Sequence, residues 1–164
     1  MRFMEAILRS AEIGDYNAIA SWVDDADACA RWAGPAVPFP FLAEELPEIL
    51  SVTGSESYCL AGSDGECIGF GQFWTATEVA VHIGRIIISP SVRGSGAGRL
   101  LCEKLIDRAI QSTGSSVVTL RVYRSNLAAL SLYSSLGFAM VDSESTSELL
   151  FMKAEASSMR ERGV

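Results

Sequence analysis

The chain has 164 residues, of which 49% are hydrophobic and 20% are charged. This length and this apolar fraction fit one domain with a real hydrophobic core, and they exclude a disordered chain. The net charge of -7 makes a nucleic-acid-binding protein a poor match, because such proteins cluster Lys and Arg.

The charge is distributed unevenly along the chain. Residues 1–84 hold 13 Asp and Glu against 3 Lys and Arg, whereas residues 85–164 hold 10 Lys and Arg against 7 Asp and Glu. This asymmetry suits a protein with an anionic ligand on its C-terminal half and a cationic ligand on its N-terminal half. Solvated surface charge without a role explains it equally well.

The cysteines and the histidine argue against a metal site. Cys29, Cys59, Cys67 and Cys102 form no CxxC pair, and His82 is the only histidine in the chain. A zinc site needs a closer set of such ligands, so we expect no metal. We expect reduced, mostly buried cysteines, with Cys59 and Cys67 near each other across a hairpin.

The two ends of the chain predict a cytoplasmic protein without a membrane partner. No stretch approaches the roughly 20 apolar residues of a membrane span, and the first 16 residues hold no apolar run typical of a signal peptide. Residues 154–164 are small, polar and charged. We therefore expect a single domain over residues 1–153, followed by a frayed polar tail over residues 154–164.

The N-terminal quarter predicts a strand and two helices. Ala6–Arg9 is a strand candidate, and Asp15 could cap a helix that begins near Tyr16. The proline-rich segment 33–40 is expected to be a loop. Phe41–Ser51 is amphipathic and predicts the second helix.

A β-hairpin and a long strand are expected next. Ser57–Ala61 and Glu66–Phe73 have the composition of strands, and the turn signal Gly62-Ser63-Asp64-Gly65 lies between them. The following strand runs from about Val79 to Ile88. Its last three residues are isoleucines, which predicts burial on both faces of the sheet.

The second half of the chain predicts a strand–loop–helix–strand unit. Pro90 ends the preceding strand, and a glycine loop spans Arg93–Gly98. Further elements are expected in this order: a helix over Ala97–Thr113, a strand over Val117–Val122, a helix over Asn126–Leu136 and a strand over Glu148–Met152. The layout predicts an α/β (α+β) fold with a central, mostly antiparallel, twisted sheet flanked by helices.

The glycine loop carries the strongest functional signal. In the segment IIISPSVRGSGAGR (86–99), Arg93, Gly96 and Gly98 fit the pattern R/Q-x-x-G-x-G/A between a strand and a helix. Glycines let the backbone turn tightly, so that successive N–H groups point outward at a helix N-terminus. With Arg93 and Arg99 beside it, such a loop can hold a pyrophosphate. Taken alone, the pattern also fits a tight turn that merely starts a helix.

A second motif follows at a consistent spacing. Asn126–Phe138 fits N-x-x-A-x-x-L-Y-x-x-L-G-F. Together, the run from Gly84 to Phe138, about a third of the chain, resembles the cofactor-binding core of the GNAT superfamily of N-acetyltransferases. The resemblance implies a GNAT-like single domain in which a parallel strand pair splays apart at the cofactor site. It also implies acetyl-CoA as the co-substrate.

The resemblance further implies roles for individual residues. Backbone groups of Ile86, Ile87 and Ile88 would bind the acetyl and pantetheine portions. Asn126 would hydrogen-bond the cofactor or brace the splayed strand, and Tyr133 would face the sulfur. The loop amides that would hold the pyrophosphate belong to Gly94, Ser95, Gly96, Ala97, Gly98 and Arg99.

Acetyl transfer to an amine needs an acid and a base. Tyr133 is our candidate acid for the leaving thiolate, because a phenol with a pKa near about 10 is protonated at neutral pH; its alternative is a packed aromatic. Glu78 and His82 are the candidate bases, although a lone strand histidine is more often structural. Some peptide N-terminal acetyltransferases of this superfamily carry a glutamate on the strand after the motif helix. Arg121 departs from that pattern.

The acceptor and two rival functions stay open. The acceptor would be a small-molecule or peptide amine, and a homodimer fits the fold. A dinucleotide-binding oxidoreductase would need glycine or alanine where Arg99 stands, and the next strand lacks the ribose-binding acid. A non-catalytic CoA-binding sensor on the same fold remains an alternative. Aromatic residues that could wall an acceptor pocket, or simply anchor core and loops, are Trp22, Trp32, Phe39, Phe41 and Trp74.

Overall fold

A mixed seven-stranded sheet organises the computed structural model, which describes residues 5–160. Its strands are β1 (Ile7–Ser10), β2 (Glu56–Ala61), β3 (Cys67–Thr75), β4 (Ala80–Ile88), β5 (Val117–Tyr123), β6 (Ala139–Met140) and β7 (Leu149–Glu155). Their order across the sheet is β1-β2-β3-β4-β5-β7-β6. Every neighbouring pair is antiparallel except β4 and β5, which run parallel. The predicted fold class is confirmed.

Helices cover both faces of this sheet. They are α1 (Asp15–Ser21), α2 (Ala26–Ala33), α3 (Leu46–Ile49), α4 (Ala97–Thr113), α5 (Leu127–Ser135) and α6 (Ala156–Arg160). On the face that we call the α4 face, Leu105 and Tyr133 pack with Val81 and Leu120 of the strands. On the opposite face, called the α2 face, residues of α1 and α2 pack around Phe70. None of the described helices is long and apolar enough to cross a membrane.

Two glycines of β3 let α4 lie close to the sheet. A Cβ atom at Gly71 would come within 2.7 Å of Leu105 Cδ2. One at Gly69 would come within 2.9 Å of Ile88 Cδ1 and 3.1 Å of Leu101 Cδ2. Any side chain at these positions would push against the helix, so these glycines fix the distance between α4 and the strand that precedes the glycine loop.

A bulge interrupts β4 at Arg85. The register between β3 and β4 shifts between Phe70 and Gln72, and Arg85 has φ = 54°. A non-glycine residue in this region costs about 1–2 kcal/mol, so other contacts must stabilise it. Trp32 Nε1 donates a hydrogen bond to the Arg85 carbonyl at 2.8 Å. The Arg85 guanidinium donates to Leu50 O at 2.8 Å and to Gln72 Oε1 at 3.1 Å.

The parallel strands β4 and β5 pair over only three residues. Ala80, Val81 and His82 lie opposite Val117, Val118 and Thr119, and the two strands then part. Beyond this point β4 continues along β3 to Ile88, while β5 continues along β7 to Tyr123. The predicted splayed pair is therefore present. The three isoleucines at the end of β4 are half-buried, whereas burial on both faces was predicted, because β5 has left their edge.

The hairpin and the second-half elements are confirmed, including α4 at its predicted bounds. The sequence missed α2, which begins after Asp25, whose carboxylate accepts from Ala28 N at 2.8 Å. It also missed the two-residue β6. The predicted helix over Phe41–Ser51 is reduced to a 3-10 turn (Ala43–Glu45) and the four residues of α3. Pro47 lies in the first turn of α3, where its missing N–H is tolerated.

Two local predictions are corrected by side-chain contacts. Asp15 does not cap α1; its carboxylate forms an ion pair with Arg9, with distances of 2.7 and 2.9 Å, and accepts from Glu12 N. The polar tail predicted from residue 154 is ordered as far as 160, because Ala154 continues β7 and Ala156 and Met159 are buried in the core of the α4 face. Residues 161–164 of that predicted tail lie outside the described residues.

Replacing Trp32 by Phe should destabilise the protein through the bulge. The substitution leaves the Arg85 carbonyl without its 2.8 Å indole donor, which should lower the free energy of unfolding by about 1–3 kcal/mol. Trp22→Phe is the matched control, because Trp22 packs against the same core and no indole hydrogen bond is found for it within residues 5–160. Urea unfolding of both variants measures the difference. Equal losses would show that the indole hydrogen bond does not stabilise the bulge.

Candidate active site

A cleft opens between β4 and β5 where the strands part, and we call it the strand cleft. It encloses about 70 Å³. β4 contributes Ile83–Ile86, and β5 contributes Leu120–Tyr123. Further lining residues are Arg31 and Trp32 of α2, Asn126 before α5, and Ala129 and Tyr133 of α5. Because none of the described strands pairs with β4 on this side after His82, backbone groups of its free edge face the cleft.

The predicted glycine loop lies between the end of β4 and α4. Gly94 and Gly96 have φ = 77° and 94°, conformations that side chains disfavour, and Gly96 is the N-cap of α4. Within the described part of the chain, no side chain caps this helix, and its first internal hydrogen bond runs from Leu100 N to Gly96 O at 3.1 Å. The amides at the first turn therefore have no helical partner and can bind an anion.

The side chains around the loop differ in their roles. Ala97, the first residue of α4, is completely buried and packs with Val92 and Leu101. Arg93 Nε donates to Ile88 O at 3.1 Å, which joins the loop to the end of β4, and Ser95 Oγ donates to Val92 O. Arg99 contacts Glu103 at 3.5 Å and Ser135 Oγ at 2.8 Å. Both predicted arginines thus lie beside the loop.

Tyr133 reaches the strand cleft from α5. Its ring is buried against Phe138, with ring centroids 6.0 Å apart, and its hydroxyl makes no hydrogen bond within residues 5–160. Burial raises the pKa of Tyr133 above its usual value near 10, so the phenol is protonated at neutral pH. Because no buried side-chain oxygen or nitrogen of the described residues lacks a partner, the Tyr133 hydroxyl keeps some exposed surface and can donate to a group that enters the cleft.

Asn126 stands where β5 ends and α5 begins. Its side-chain oxygen accepts from Ala129 N at 3.2 Å and so caps α5. The same residue lines the strand cleft, and its amide NH₂ group is not used by this cap. The capping contact is local to α5, so both roles that the sequence suggested for Asn126, binding the cofactor and bracing the splayed strand, stay predictions.

A second, larger cleft of about 470 Å³ lies on the α2 face, and we call it the sheet cleft. His82 and Thr119 lie side by side in it, with His82 Nδ1 2.8 Å from Thr119 Oγ1. The imidazole lies between Trp74 and Phe151, at centroid distances of 5.1 and 6.3 Å. Burial, and then the charge of Arg121, lower the pKa of His82 to about 4. The ring is therefore neutral at pH 7.

Glu78, the other candidate base, is not brought to either cleft. It is exposed in the turn between β3 and β4 and lines neither the strand cleft nor the sheet cleft. Eight residues of chain separate it from Ile86, which is about 25 Å along an extended strand. The turn lies at the opposite end of β4 from the glycine loop, which separates this carboxylate from the candidate site.

Basic residues that the sequence analysis left without a site role line both clefts. They are Arg31, Arg85 and Arg121 in the strand cleft, and Arg121 with Lys153 in the sheet cleft. Of the residues that the structure describes, Arg121 alone belongs to both linings. Alternation along β5 places Thr119 and Arg121 on one face, a signal that could have found Arg121. Of the predicted wall aromatics, Trp32 lines the strand cleft and Trp74 the sheet cleft.

A cluster outside both clefts brings Asp15, Cys59 and Cys67 together. Their carboxylate and thiol ligand atoms lie within 4.8 Å of one another, so the predicted proximity of Cys59 and Cys67 is confirmed. The Asp15 carboxylate is already engaged by Arg9 and by Glu12 N. The hydrogen bond with Cys67, together with burial, raises the pKa of Cys59, so this thiol is protonated at neutral pH.

Known proteins resemble both the sequence and the fold. A mycothiol acetyltransferase of Renibacterium salmoninarum is 30% identical over 84% of this chain but only 45% of that protein. A ribosomal protein bS18-alanine N-acetyltransferase of Escherichia coli is 43% identical over 32% of this chain and 35% of its own. The chain thus aligns with less than half the length of these relatives.

Solved structures share the fold at low sequence identity. Spermidine N-acetyltransferase from Vibrio cholerae, in complex with CoA and spermine, superposes with a TM-score of 0.79 at 18% identity, over 96% of this chain and 99% of that one. AAC(6')-Ib in complex with ribostamycin and coenzyme A gives 0.76 at 20% identity, over 95% and 96%. The acetyltransferase (GNAT) family model matches residues 19–138. The chain belongs to the GNAT family of acetyltransferases.

Proposed function

We propose that the chain is an N-acetyltransferase that moves the acetyl group of acetyl-CoA to a primary amine by direct attack in a ternary complex. The observation that carries the proposal is the strand cleft, which runs beside the free edge of β4 and is lined by Tyr133. The glycine loop at the end of β4 supplies unpartnered amides for the pyrophosphate. The names of the mycothiol, ribosomal-protein and spermidine acetyltransferases that resemble the chain support the same reaction.

The free edge of β4 and the loop would bind the acetyl donor. Backbone groups of Ile86–Ile88 would hydrogen-bond the acetyl and pantetheine portions, and a backbone N–H near Ile88 would polarise the thioester carbonyl. One such donor typically contributes about 10²–10³ in rate. Loop amides over Gly94–Arg99 would hold the pyrophosphate, with Arg93 and Arg99 beside them. Asn126 would keep β5 apart from β4 by capping α5.

Tyr133 would donate a proton to the leaving thiolate. Its raised pKa makes the phenol a weaker acid than a free tyrosine, while a cysteine-like thiol in water has a pKa of about 8.5. Desolvation in the same cleft would also raise the pKa of the thiol. The difference between the two pKa values would then be smaller than if the phenol alone lost water.

His82 is a weak candidate for the base. A primary amine with a pKa near that of lysine exceeds the His82 pKa of about 4 by some six units, so taking its proton would cost about 8–9 kcal/mol. We therefore propose that His82 shapes the sheet cleft and that the amine loses its proton to solvent before attack. Glu78 lies outside both clefts and is not proposed as a base.

A second candidate function, a non-catalytic CoA-binding domain, is favoured by one observation. No carboxylate lines the strand cleft among the described residues, and the sheet cleft offers Glu144 alone beside a weakly basic His82. Such a protein would bind acetyl-CoA without turning it over. Measuring binding and turnover separately distinguishes the two functions.

Replacing Gly96 by Ala should weaken acetyl-CoA binding by at least about tenfold, because the new methyl group lies on the loop and disfavours φ = 94°. Gly114→Ala is the matched control. Gly114 ends the same helix with φ = 67°, and both sites have open space for a Cβ atom. Both variants should lose about 1 kcal/mol of stability. Isothermal titration with acetyl-CoA, and separately with NADPH, measures binding. Equal affinities of the two variants, or binding of NADPH instead, would contradict the proposal.

Replacing Tyr133 by Phe should lower kcat by about 10²–10⁴ and leave acetyl-CoA affinity nearly unchanged. The ring and its packing on Phe138 are kept, and only the hydroxyl without an internal partner is removed. Tyr123→Phe serves as the control, since Tyr123 also lines the strand cleft. Thiol release from acetyl-CoA with an amine panel reports turnover. Unchanged turnover in Tyr133→Phe would rule out the acid assignment.

The low pKa of His82 should appear as a pH-dependent loss of stability. Above pH 6.5, the unfolded-state value, His82 is neutral in both states and contributes no pH dependence. As the pH falls from 6.5 towards 4, only the unfolded chain gains the proton, so stability should fall by at most about 2 kcal/mol by pH 5. Urea unfolding of wild type and His82→Gln at pH 7.5, 6 and 5 isolates this contribution. If the difference in free energy of unfolding between the two proteins is the same at all three pH values, the pKa of His82 is not lowered and His82 is again a candidate base.

A further inference from the structure

The clefts of this acidic protein are lined by positive charge. The whole chain has a net charge of -7. Among residues 5–160, four basic residues nevertheless line the strand cleft and the sheet cleft together, against a single carboxylate, that of Glu144. His82 adds no charge at neutral pH because its pKa is about 4. A ligand in the sheet cleft therefore meets a local field opposite in sign to that of the protein as a whole.

Two of these basic side chains are close neighbours on the sheet. Arg121 of β5 lies opposite Phe151 of β7, and Lys153 lies opposite Thr119. Arg121 and Lys153 are thus diagonal neighbours on one face of an antiparallel pair, with Cα atoms about 7–8 Å apart. A carboxylate placed between them can contact both side chains.

Neither cation is neutralised by a carboxylate in this structure. Within residues 5–160, the ion pairs involve Arg9 and Arg99, and none involves Arg121 or Lys153. Arg121 donates one long hydrogen bond, 3.5 Å, to the backbone carbonyl of Glu144, and its guanidinium carbon lies 4.7 Å from the Phe151 ring centroid. The ring orients the guanidinium and leaves most of its donors open.

Arg121 is also the residue that links this face to the proposed reaction. It lines both the sheet cleft and the strand cleft, in which Tyr133 lies. Arg85 carries charge nearby, but its guanidinium already donates to Leu50 O and Gln72 Oε1. Arg121 is therefore the cation best placed to bind a group of the amine acceptor while the amine itself reaches the strand cleft.

We propose that the acceptor amine carries a carboxylate, which Arg121 and Lys153 bind in the sheet cleft; this inference rests on the proposed acetyl transfer. A planar guanidinium pairs with a carboxylate through two parallel hydrogen bonds, and the ammonium of Lys153 adds a second charge. Amino acids and short peptides with a free C-terminus have this chemistry. Purely cationic amines would meet like charge at the same place.

Matched pairs of acceptors test this inference. Glycine, β-alanine, glycylglycine and triglycine are compared with their carboxamides, so that the spacing between amine and carboxylate varies while the rest of the molecule is kept. For at least one spacing, kcat/KM should favour the free acid by about 10- to 100-fold, the range expected for hydrogen bonds to a charged group. Spermidine should be a poorer acceptor than that acid.

Variants of Arg121 and Lys153 test whether these side chains cause the preference for the free acid. Arg121→Gln should reduce the acid-to-amide ratio to below about threefold, and Lys153→Gln should reduce it partly. Arg121→Glu should invert the preference towards the amide and spermidine. Arg108→Gln is the control for loss of one positive charge, because Arg108 lies on α4 over the Tyr58 ring, on the other face of the sheet. Because Arg121 also lines the strand cleft, all ratios are measured at saturating acetyl-CoA; Lys153→Gln and Arg108→Gln should leave acetyl-CoA affinity unchanged.

The outcomes separate this inference from the proposed function. An acid-to-amide ratio near one in the wild type, a preference for spermidine, or a ratio that Arg121→Gln leaves unchanged would overturn the inference while acetyl transfer stands. If acetyl-CoA binds and no amine is acetylated, the proposed function fails. In that case the inference is tested by binding alone. N-acetylglycylglycine and its carboxamide are each titrated into the CoA-saturated protein, and tryptophan fluorescence reports their binding. Selective binding of the acid supports the inference, and equal binding or none overturns it.

Discussion

The bulge at Arg85 is the constraint on which the rest of the site depends. It forces a non-glycine residue to φ = 54°, and the conformation is held from outside the strand by Trp32 Nε1 and by the contacts of the guanidinium with Leu50 and Gln72. Those contacts connect β4 to the helical layer on the α2 face. Because the distortion lies just after the three paired residues of β4 and β5, it marks the place where the strands separate. Strain in the backbone and the position of the cleft thus have one origin.

Burial determines which side chains around the clefts can carry a proton. The desolvated phenol of Tyr133 keeps its proton, and the desolvated imidazole of His82 stays without one. Both shifts favour the neutral form, so the permanent charge in this region comes from arginine and lysine. The two tasks are therefore divided between chemically different groups: neutral groups lie where a proton could move, and fixed cations lie where a ligand could be held.

Local sequence patterns predicted most of the fold but only part of the candidate site. The bounds of α4 followed from its apolar repeat, and the glycine loop followed from residues adjacent in sequence. The hydrogen bond between Trp32 and Arg85 joins residues 53 positions apart, so no pattern of neighbouring residues can predict it. The pairing of β5 with β7 brings Arg121 and Lys153 to one face, and only the register of two distant strands reveals this. Glu78 directly precedes the strand predicted from about Val79, and in the structure it is exposed before β4 and lines neither cleft.

The short pairing of β4 with β5 also gives the sheet a seam. One ladder contains β1 to β4 and the other contains β5 to β7, and backbone hydrogen bonds join them at three residue pairs. Past those pairs, side chains of the core on the α4 face hold the two ladders side by side. An elongated molecule with amide groups that enters the seam can therefore hydrogen-bond to strand edges that the sheet leaves open. A ligand bound in this way would lie between the two ladders as a strand lies between its neighbours, and it would make backbone hydrogen bonds that β4 and β5 do not make with each other.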